Sequence, residues 1–564
     1  MIPAFPRALV RAAESALVRS ANDEADPDRF MRSAARAVCE RARAMLGRGA
    51  GADEERAAGA RGGARRRSSG APRVLALAGG GDNGGDALYA ASLLADAGVA
   101  CAVLALHPRL HERGAAAARE AGVEIFEAGA LLEAAGIERL AGVPEIDALL
   151  DAPVWIDGIL GTGLKGVPRE PLASRLAELD ALRDDRGARV LAIDVPSGAL
   201  DDEGRVEGPL LRAEETVTMA ALKSALVLPP ASYAAGAVRV HDLGLESPLE
   251  KGEEGTPAVR LVEDPDIVRV VRVPGEGDHK YARGVAGLVA GSDSYPGAGV
   301  LACLGAAAAG PGMIRLDAPR RVQDLALSAR PGIVTAGGRI QAGLVGPGMD
   351  EESEPSVRDL ARFCLRSGLP LVVDAGALAL VPDFMRDGGG EPAPLPGPVV
   401  LTPHAGEASA LLAALGDARP RRWIEQNPAE AARALAARVG ARVLLKGAAC
   451  VLASPDGSLV AIPKGTGWTG VAGAGDVLAG ILVGLLASWR ARVETGREAP
   501  SFEEAVAVGA LVHARAGALA AGRLGPAGAP IGPEEIAAAV PEVIGAALAR
   551  LTTREDGAAG PVGY

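Results

Sequence analysis

A chain of 564 residues has room for roughly two to four domains. Hydrophobic residues make up 49% of it but aromatics only 3%, so large cores must be built from Ala, Val and Leu. A net charge of −12 argues against a general nucleic-acid binder. Five widely spaced cysteines (Cys39, Cys101, Cys303, Cys364, Cys450) offer no zinc-ligand spacing and point to a reducing cytoplasm.

The first residues, "MIPAFPRALVRAAESALV", lack the apolar core and cleavage site of a signal peptide, and no uncharged membrane-spanning run is expected. Arg29 to Met45 has the spacing of an amphipathic helix. Arg48 to Pro72 is rich in Gly, Ala and Arg without apolar period, so 48–72 is expected to be a disordered loop.

From Arg73 to Leu245 apolar runs alternate with helical segments. The runs "VLALAGG", "CAVLAL", "VWIDGIL", "RVLAIDVPSG", "ETVTMAAL" and "AVRVHDLGL" predict a parallel sheet with helices on both faces. "ESPLEKGEEGTP" is charged and turn-rich, which places a linker at 246–256. A second series follows: "VAGLVAGS", "GMIRLDAP", "AGLVGPGM", "PLVVDAGAL", "PVVLTPH" and "ARVLLKGAACVLASPDG". Helical segments around Val477 to Leu486 and Phe502 to Leu519 close it. The expected fold is two three-layer αβα domains, at 1–245 and 257–552, with a tail at 553–564. The halves show no mutual repeat.

Open α/β sheets bind ligands beyond the carboxyl ends of their strands. The first such end carries "LAGGGDNGGD", where Gly79, Gly81 and Gly84 match G-x-G-x-x-G. Asp82 and Asp86 stand where a pyrophosphate would sit, so the match to a dinucleotide loop is formal only. Asp157 ends another strand, and Asp194 and Ser197 a third. Asn83, Asp157 and Ser197 can converge as hard oxygen ligands, which suits K⁺, Na⁺, Ca²⁺ or Mg²⁺ over zinc. "GTGLKGV" (Gly161, Thr162, Gly163, Leu164, Lys165, Gly166, Val167) offers backbone N–H groups and a lysine, a better phosphate cradle than the first loop. A single Asp after a strand is often only a helix cap; three strand ends together favour a site. His107 and His111 have metal-like spacing, but Pro108 interrupts a helix there and no third ligand is evident.

In the second half, "GVAGAGDVLAGILVGLL" leads glycines into an apolar helix with Asp476 in its first turn. Bare N–H groups at Gly473 to Gly475 make an anion hole for a transferring phosphoryl group, and Asp476 is placed to take a proton from a hydroxyl. "LLKGAA" ends a strand with Lys446 and Gly447.

"GDNGGDAL", "DGILGTGLKG" and "IDVPSG", in that order, resemble the N-terminal domain of NAD(P)H-hydrate epimerases over about residues 20 to 245. The resemblance implies a Rossmann-like fold, with K⁺ held by Asn83, Asp157 and Ser197. It places the hydrate on Asn83, Gly84, Gly85, Asp86, Gly161 to Val167 and Asp194, with Asp157 and Lys165 handling protons. Asp82 and Ala87 depart from the family's loop, and Arg32 and Ala35 from its helix.

From Pro257 to Leu551 the chain resembles the ADP-dependent NAD(P)H-hydrate dehydratases of the ribokinase-like superfamily, on "HKYARG", "TPHAGE", "LLKGAA" and "GAGD". The resemblance implies hydrate contacts at Ala298, Gly348, His404 and Asp476. It implies ADP or ATP contacts, with Mg²⁺, at Lys446, Gly447, Ala448, Ala449, Cys450 and Gly475. Gly376, Ala405 and the Ala449-Cys450 pair depart from the family's pattern. The function implied is bifunctional repair of NADHX and NADPHX: epimerisation of the R and S hydrates, then dehydration of the S form. Small-molecule substrates, no nucleic acid and no membrane are expected, and a homo-oligomer is left open. Two other readings stand beside it: a small-molecule kinase, and a non-enzymatic nucleotide-binding scaffold in the first half.

Overall fold

The computed structural model describes residues 1–21, 28–59, 72–164, 166–243, 257–386 and 391–554. The chain divides into two compact units between Pro257 and Ala258, with Met1–Pro3 grouped with the C-terminal one. Residues 246–256, Lys165 and residues 555–564 lie outside the described residues.

The N-terminal unit is built on a seven-stranded sheet. Its order is Ala237–His241, Glu215–Met219, Arg189–Ile193, Val154–Gly158, Val74–Ala78, Cys101–Ala105, Glu124–Glu127. Every pairing is parallel. Alternation along each strand splits the core in two. Val74, Ala76 and Ala78 face the helices Arg29–Gly59, Asp82–Asp96 and Glu112–Glu120. Leu75 and Leu77, with Trp155, face Ala128–Ala135, Pro144–Leu150 and Leu172–Arg186. The chain winds outward from Val74–Ala78 in one direction, then returns to Val154–Gly158 on its other side. That switch point opens a crevice at the carboxyl ends of these two strands, in register from Val74↔Val154 to Ala78↔Gly158.

Two expectations are corrected here. Residues 48–59, expected as loop, continue the helix Arg29–Gly59. Ala, Glu and Arg are strong helix formers there, and glycines at 49 and 51 weaken a helix without breaking it, whereas a proline would. Residues 60–71 lie outside the described residues. A seventh strand, Glu124–Glu127, was not expected, because its sequence EIFE has no long apolar run.

The C-terminal unit carries a ten-stranded sheet. Val285–Val289, Met313–Asp317, Ala342–Val345, Leu371–Val373, Val399–Leu401 and Arg442–Leu445 pair in parallel. Cys450–Ala453 then returns antiparallel to Arg442–Leu445, so "ARVLLKGAACVLASPDG" is two strands joined by the turn Lys446 to Ala449. Ile2–Ala4 forms the far edge, and the last helix runs Pro533–Arg554, through the first residues of the expected tail.

With few aromatics, the core closes by bringing helix backbones together. A Cβ on Gly480 would stand 2.1 Å from the Ala302 carbonyl oxygen, and one on Gly305 would stand 2.3 Å from that of Val477. Only glycine permits this approach between Ala474–Glu494 and Pro296–Ala308. Ala474–Glu494 and Phe502–Gly522 are long and apolar enough to cross a membrane. Most of their apolar residues are instead buried in the core of this unit.

Candidate active sites

In the N-terminal unit, the Val74–Ala78 strand ends at Gly79, and the helix Asp82–Asp96 starts two residues further on. A Cβ on Gly84 would stand 2.1 Å from the Gly79 carbonyl oxygen, so this glycine lets the helix begin flush against the strand end. The turn presents Asn83 to the next two strands. Its Nδ2 donates to the carbonyl oxygens of Ile193 (2.7 Å) and Leu160 (3.2 Å).

Asp157, on the neighbouring strand, is fully buried. Its Oδ1 accepts from the Ser197 hydroxyl at 2.5 Å, and its Oδ2 from the Ser197 N–H at 2.8 Å. The Ser197 oxygen in turn accepts from the Leu160 N–H at 2.8 Å. Burial pushes the Asp157 carboxyl up to about 6, and the bonds from Ser197 and Ile159 hold it from rising further. Asn83, Asp157 and Ser197, named from separate motifs, thus meet in one network with the carbonyls of Leu160 and Ile193. No Lys or Arg among the described residues is paired with Asp157.

Asp194 lies one strand further along, at a φ of 67° that a non-glycine residue rarely adopts. It is held there by bonds to Oδ1 from Thr218 (3.1 Å) and the Met219 N–H (3.2 Å), and by the ammonium of Lys223. Lys223 is 1% exposed and also donates to the Met219 carbonyl at 2.7 Å. Glu14 Oε1 stands 3.9 Å from the same ammonium. Asp86 is buried and takes no hydrogen bond among the described residues; burial, then Asp194, Asp82 and Glu14, push its carboxyl well up. Gly161 touches Asn83, since a Cβ there would lie 2.3 Å from Asn83 Oδ1. The cradle from Gly161 therefore adjoins the Asn83–Asp157–Ser197 network.

In the C-terminal unit, the Ala474–Glu494 helix begins after Gly473, whose φ of 92° makes the sharp turn into it. Asp476 sits in its first turn with no hydrogen-bond partner among the described residues. Burial pushes its carboxyl up to about 7; Asp374 adds to this and Lys446 opposes it. Lys446 Nζ donates to Asp374 Oδ1 at 2.6 Å and lies 3.8 Å from Glu407 Oε2. Burial alone would lower the Lys446 pKa, but Asp374 and Glu407 outweigh it and the pKa is raised. A Cβ on Gly475 would be 3.6 Å from Lys446 Nζ, so the lysine stands beside the helix N-terminus.

Ala298 and Gly348 also meet: a Cβ on Gly348 would lie 2.7 Å from that of Ala298. Leu301, one turn along the same helix, faces Gly473, where a Cβ would come within 2.5 Å of its Cδ1. The exposed His404 caps the helix Ala405–Ala414: its Nδ1 accepts from the N–H groups of Gly406 (3.0 Å) and Glu407 (3.1 Å). That leaves Nε2 to carry the proton. Ala448 accepts from Gly465 N–H at 3.2 Å, and Cys450 begins the returning strand.

An NAD(P)H-hydrate dehydratase family model matches residues 286–538, and a YjeF-related N-terminal model matches 27–225. The bifunctional NAD(P)H-hydrate repair enzyme Nnr of Mycobacterium leprae is 36% identical over 81% of this chain and 85% of its own. That of Mycobacterium tuberculosis is 36% identical over 74% of this chain and 79% of its own. The chain belongs to the bifunctional NAD(P)H-hydrate repair enzymes.

A crystal structure of the Bacillus subtilis ADP/ATP-dependent NAD(P)H-hydrate dehydratase, co-crystallised with ATP/Mg²⁺, is 26% identical. It covers 51% of this chain and 99% of its own, with a TM-score of 0.43.

Several residues of these sites were not singled out by motif. Asp374 follows a strand directly, at the same kind of position as Asp157, and the strand-end rule that found Asp157 extends to it. Lys223 and Glu14 carry no motif; the fold alone delivers them to Asp194. His513 is a third case. It donates from Nε2 to the Ala474 carbonyl at 3.0 Å, and burial pushes its imidazole down to about 4, so it stays neutral beneath the helix that carries Asp476. His107 and His111 make local bonds only, His111 as the cap of Glu112–Glu120.

Proposed function

We propose that the two sites work in sequence. The N-terminal site exchanges the R and S hydrates, and the C-terminal site dehydrates the S form at the expense of ADP or ATP. The observation that carries this is the pairing of unlike carboxylates in one chain: Asp157, locked by Ser197, and Asp476, without a hydrogen bond among the described residues, at a helix N-terminus beside Lys446.

In the dehydratase site, Asp476 takes the proton from the ring hydroxyl of the S hydrate. That oxygen attacks the terminal phosphoryl group of the nucleotide, and the bond to the departing nucleotide breaks. Phosphate is a better leaving group than hydroxide, so loss of phosphate from the ring with a proton from the adjacent carbon restores the double bond. Gly473 to Gly475 supply N–H groups to the transferring phosphoryl group. Lys446, Gly447, Ala448, Ala449, Cys450 and Gly475 hold the adenine nucleotide, and Ala298, Gly348 and His404 hold the hydrate. Mg²⁺, carried with the nucleotide, would screen its phosphate charge.

In the epimerase site, the donors fit K⁺. Asn83, Asp157 and Ser197, with the Leu160 and Ile193 carbonyls beside them, form an all-oxygen set with one carboxylate, which suits a hard monovalent cation. Among the described residues no side-chain cation stands beside the fully buried Asp157, which supports this assignment. Bound there, K⁺ would hold Asp157 ionised and fix the Gly161 loop against Asn83. Gly84, Gly85, Asp86, Asp194 and Gly161 to Val167 surround the hydrate. With Asp157 spent on Ser197 and the cation, the Asp194–Lys223 pair stands ready to move the proton, together with Lys165. The epimerase and dehydratase halves are assigned to residues 1–245 and 257–552, in a cytoplasmic setting.

The test is to supply purified protein with mixed hydrates and ADP and to follow each epimer by chromatography. Both epimers should vanish with release of AMP and phosphate. A stable phosphorylated product would instead favour the kinase reading, and consumption of the S form alone would remove the epimerase assignment.

A further inference from the structure

We infer that the helix Arg7–Ala21, which precedes the stretch matched by the N-terminal family model, supplies Arg11 as a binding residue for a phosphate group of the hydrated nucleotide. The inference rests on the epimerase reading of the N-terminal site.

Three observations lead to it. First, the helix is fastened to the site. Phe5 N–H donates to the Leu222 carbonyl at 2.8 Å, and Ser224 N–H to the Phe5 carbonyl at 2.9 Å. Arg7 N–H donates to Asp202 at 2.9 Å. Phe5, Val10 and Ala13 bury against Ala221 in a small core of their own. The segment they grip, Ala220 to Ser224, contains Lys223, the partner of Asp194.

Second, the helix turns polar residues toward the site. Glu14 reaches to 3.9 Å from the Lys223 ammonium. Arg11, three residues earlier and so on the same face, lies against the glycine loop: a Cβ on Gly163 would be 3.3 Å from its Nη1 and 3.8 Å from its Nη2. The guanidinium therefore rests on bare backbone, at the loop read above as the phosphate cradle.

Third, a cation suits the charge at this end of the sheet. Asp82, Asp86, Asp194 and Glu14 gather at this end of the sheet, and Lys223 is committed to Asp194. A phosphate approaching the Gly161–Gly163 turn meets the Asp82 and Asp194 side chains, and Arg11 adds a cation there in addition to the lysine that the loop sequence carries. Arg11 is exposed and presents a planar fork of donors matched to phosphate oxygens.

Arg11→Gln and Arg11→Lys in the full chain test this by epimerisation kinetics on the R hydrates of both NADH and NADPH. Loss of one charge-assisted contact should raise KM about tenfold in Arg11→Gln, with the smaller share of the effect in kcat, and Lys should recover part of it. Inhibition of epimerisation by inorganic pyrophosphate should weaken by the same factor. Equal loss on both substrates assigns Arg11 to the pyrophosphate; loss confined to the NADPH hydrate assigns it to the ribose phosphate. An unchanged urea-unfolding transition of the variant reports that its N-terminal unit is folded. If wild type exchanges epimers and Arg11→Gln does so with unchanged KM, the inference about Arg11 is overturned while the epimerase reading stands. A wild-type chain that exchanges no epimers overturns both.

Discussion

Asp157 and Asp476 are both carboxylates pushed up by burial, to about 6 and about 7, yet they are built for different work. Asp157 is held by three hydrogen bonds at the end of a strand and has no exposed surface. Bonds that stabilise the ionised form also immobilise it, which is what an ion ligand needs. Among the described residues Asp476 has no such bonds. Its neighbours act through space: Asp374 raises it and Lys446 lowers it. A carboxylate left unbonded with a pKa near neutrality can both take and release a proton. On the proposed reading, the same residue type at a similar shift is a ligand in one unit and a base in the other, and their hydrogen bonds tell them apart.

The strongest way to break this comparison is Asp476→Asn. It keeps size and polarity but cannot accept the proton, so ADP-dependent dehydration should fall about a hundred- to ten-thousandfold, with epimer exchange unchanged. Full dehydratase activity in this variant would overturn the reading of "GAGD" as base plus anion hole. The pH profile sharpens the same point. Asp476 must be ionised to act, so dehydration should be lost as pH falls through about 7 and level off above it.

Asp157→Asn should produce the complementary defect at a smaller size. Removing a buried ion ligand typically costs about ten- to hundredfold. The R hydrate would then be consumed at close to its spontaneous rate of epimerisation, while S-hydrate repair continues. Replacing K⁺ by a bulky organic cation should slow the wild type comparably and add little in Asp157→Asn. Because Asp157 must be ionised to hold a cation and a bound cation favours the ionised form, epimerisation should be lost on acidification, at a pH that starts near 6 at low K⁺ and falls as K⁺ is raised. If exchange of K⁺ leaves epimerisation unaltered, the cation assignment fails.

Much of this was legible without coordinates. Parallel strands announce themselves as apolar runs, and glycines and acids at their ends mark the crevice, so Asn83, Asp157, Ser197 and Asp476 could be named from residue type and place. What stayed hidden was partnership across long separations. Lys223 reaches Asp194 because the strands they follow lie side by side in the sheet, and Asp374 meets Lys446 across the intervening strand Val399–Leu401. The helix Arg29–Gly59 was undercounted because Gly and Arg enrichment imitates disorder, although no proline stands in it. The strand end at Lys446 was legible, but the strand that returns after it was not, since an antiparallel return needs only a few residues and leaves hydropathy almost unbroken.

Lys446 allows a finer test of how Asp476 is tuned. The ammonium lowers the Asp476 pKa and also neutralises Asp374, which raises it. Lys446→Met removes both effects, and they act in the same direction. At saturating ADP, the acid limb of dehydration should move up by about one pH unit. Asp374→Asn removes a like charge and should move the limb down. A limb that stays in place in both variants would mean that a group other than Asp476 sets it.

His404 offers the smallest and most separable effect. Its Nδ1 caps the helix Ala405–Ala414, and Nε2, 3.6 Å from Glu407 Oε1, is the atom that would meet the hydrate on the proposed reading. Asn is among the best N-cap residues and can take over the bonds from Gly406 and Glu407, but it brings no imidazole. His404→Ala loses cap and imidazole together and should cost about 1 kcal/mol in urea unfolding; His404→Asn should cost little. Both variants should raise KM for the S hydrate alike if Nε2 touches it. If Asn restores KM along with stability, His404 serves only to shape the loop after Val399–Leu401, and the contact with the hydrate must come from another residue of that loop.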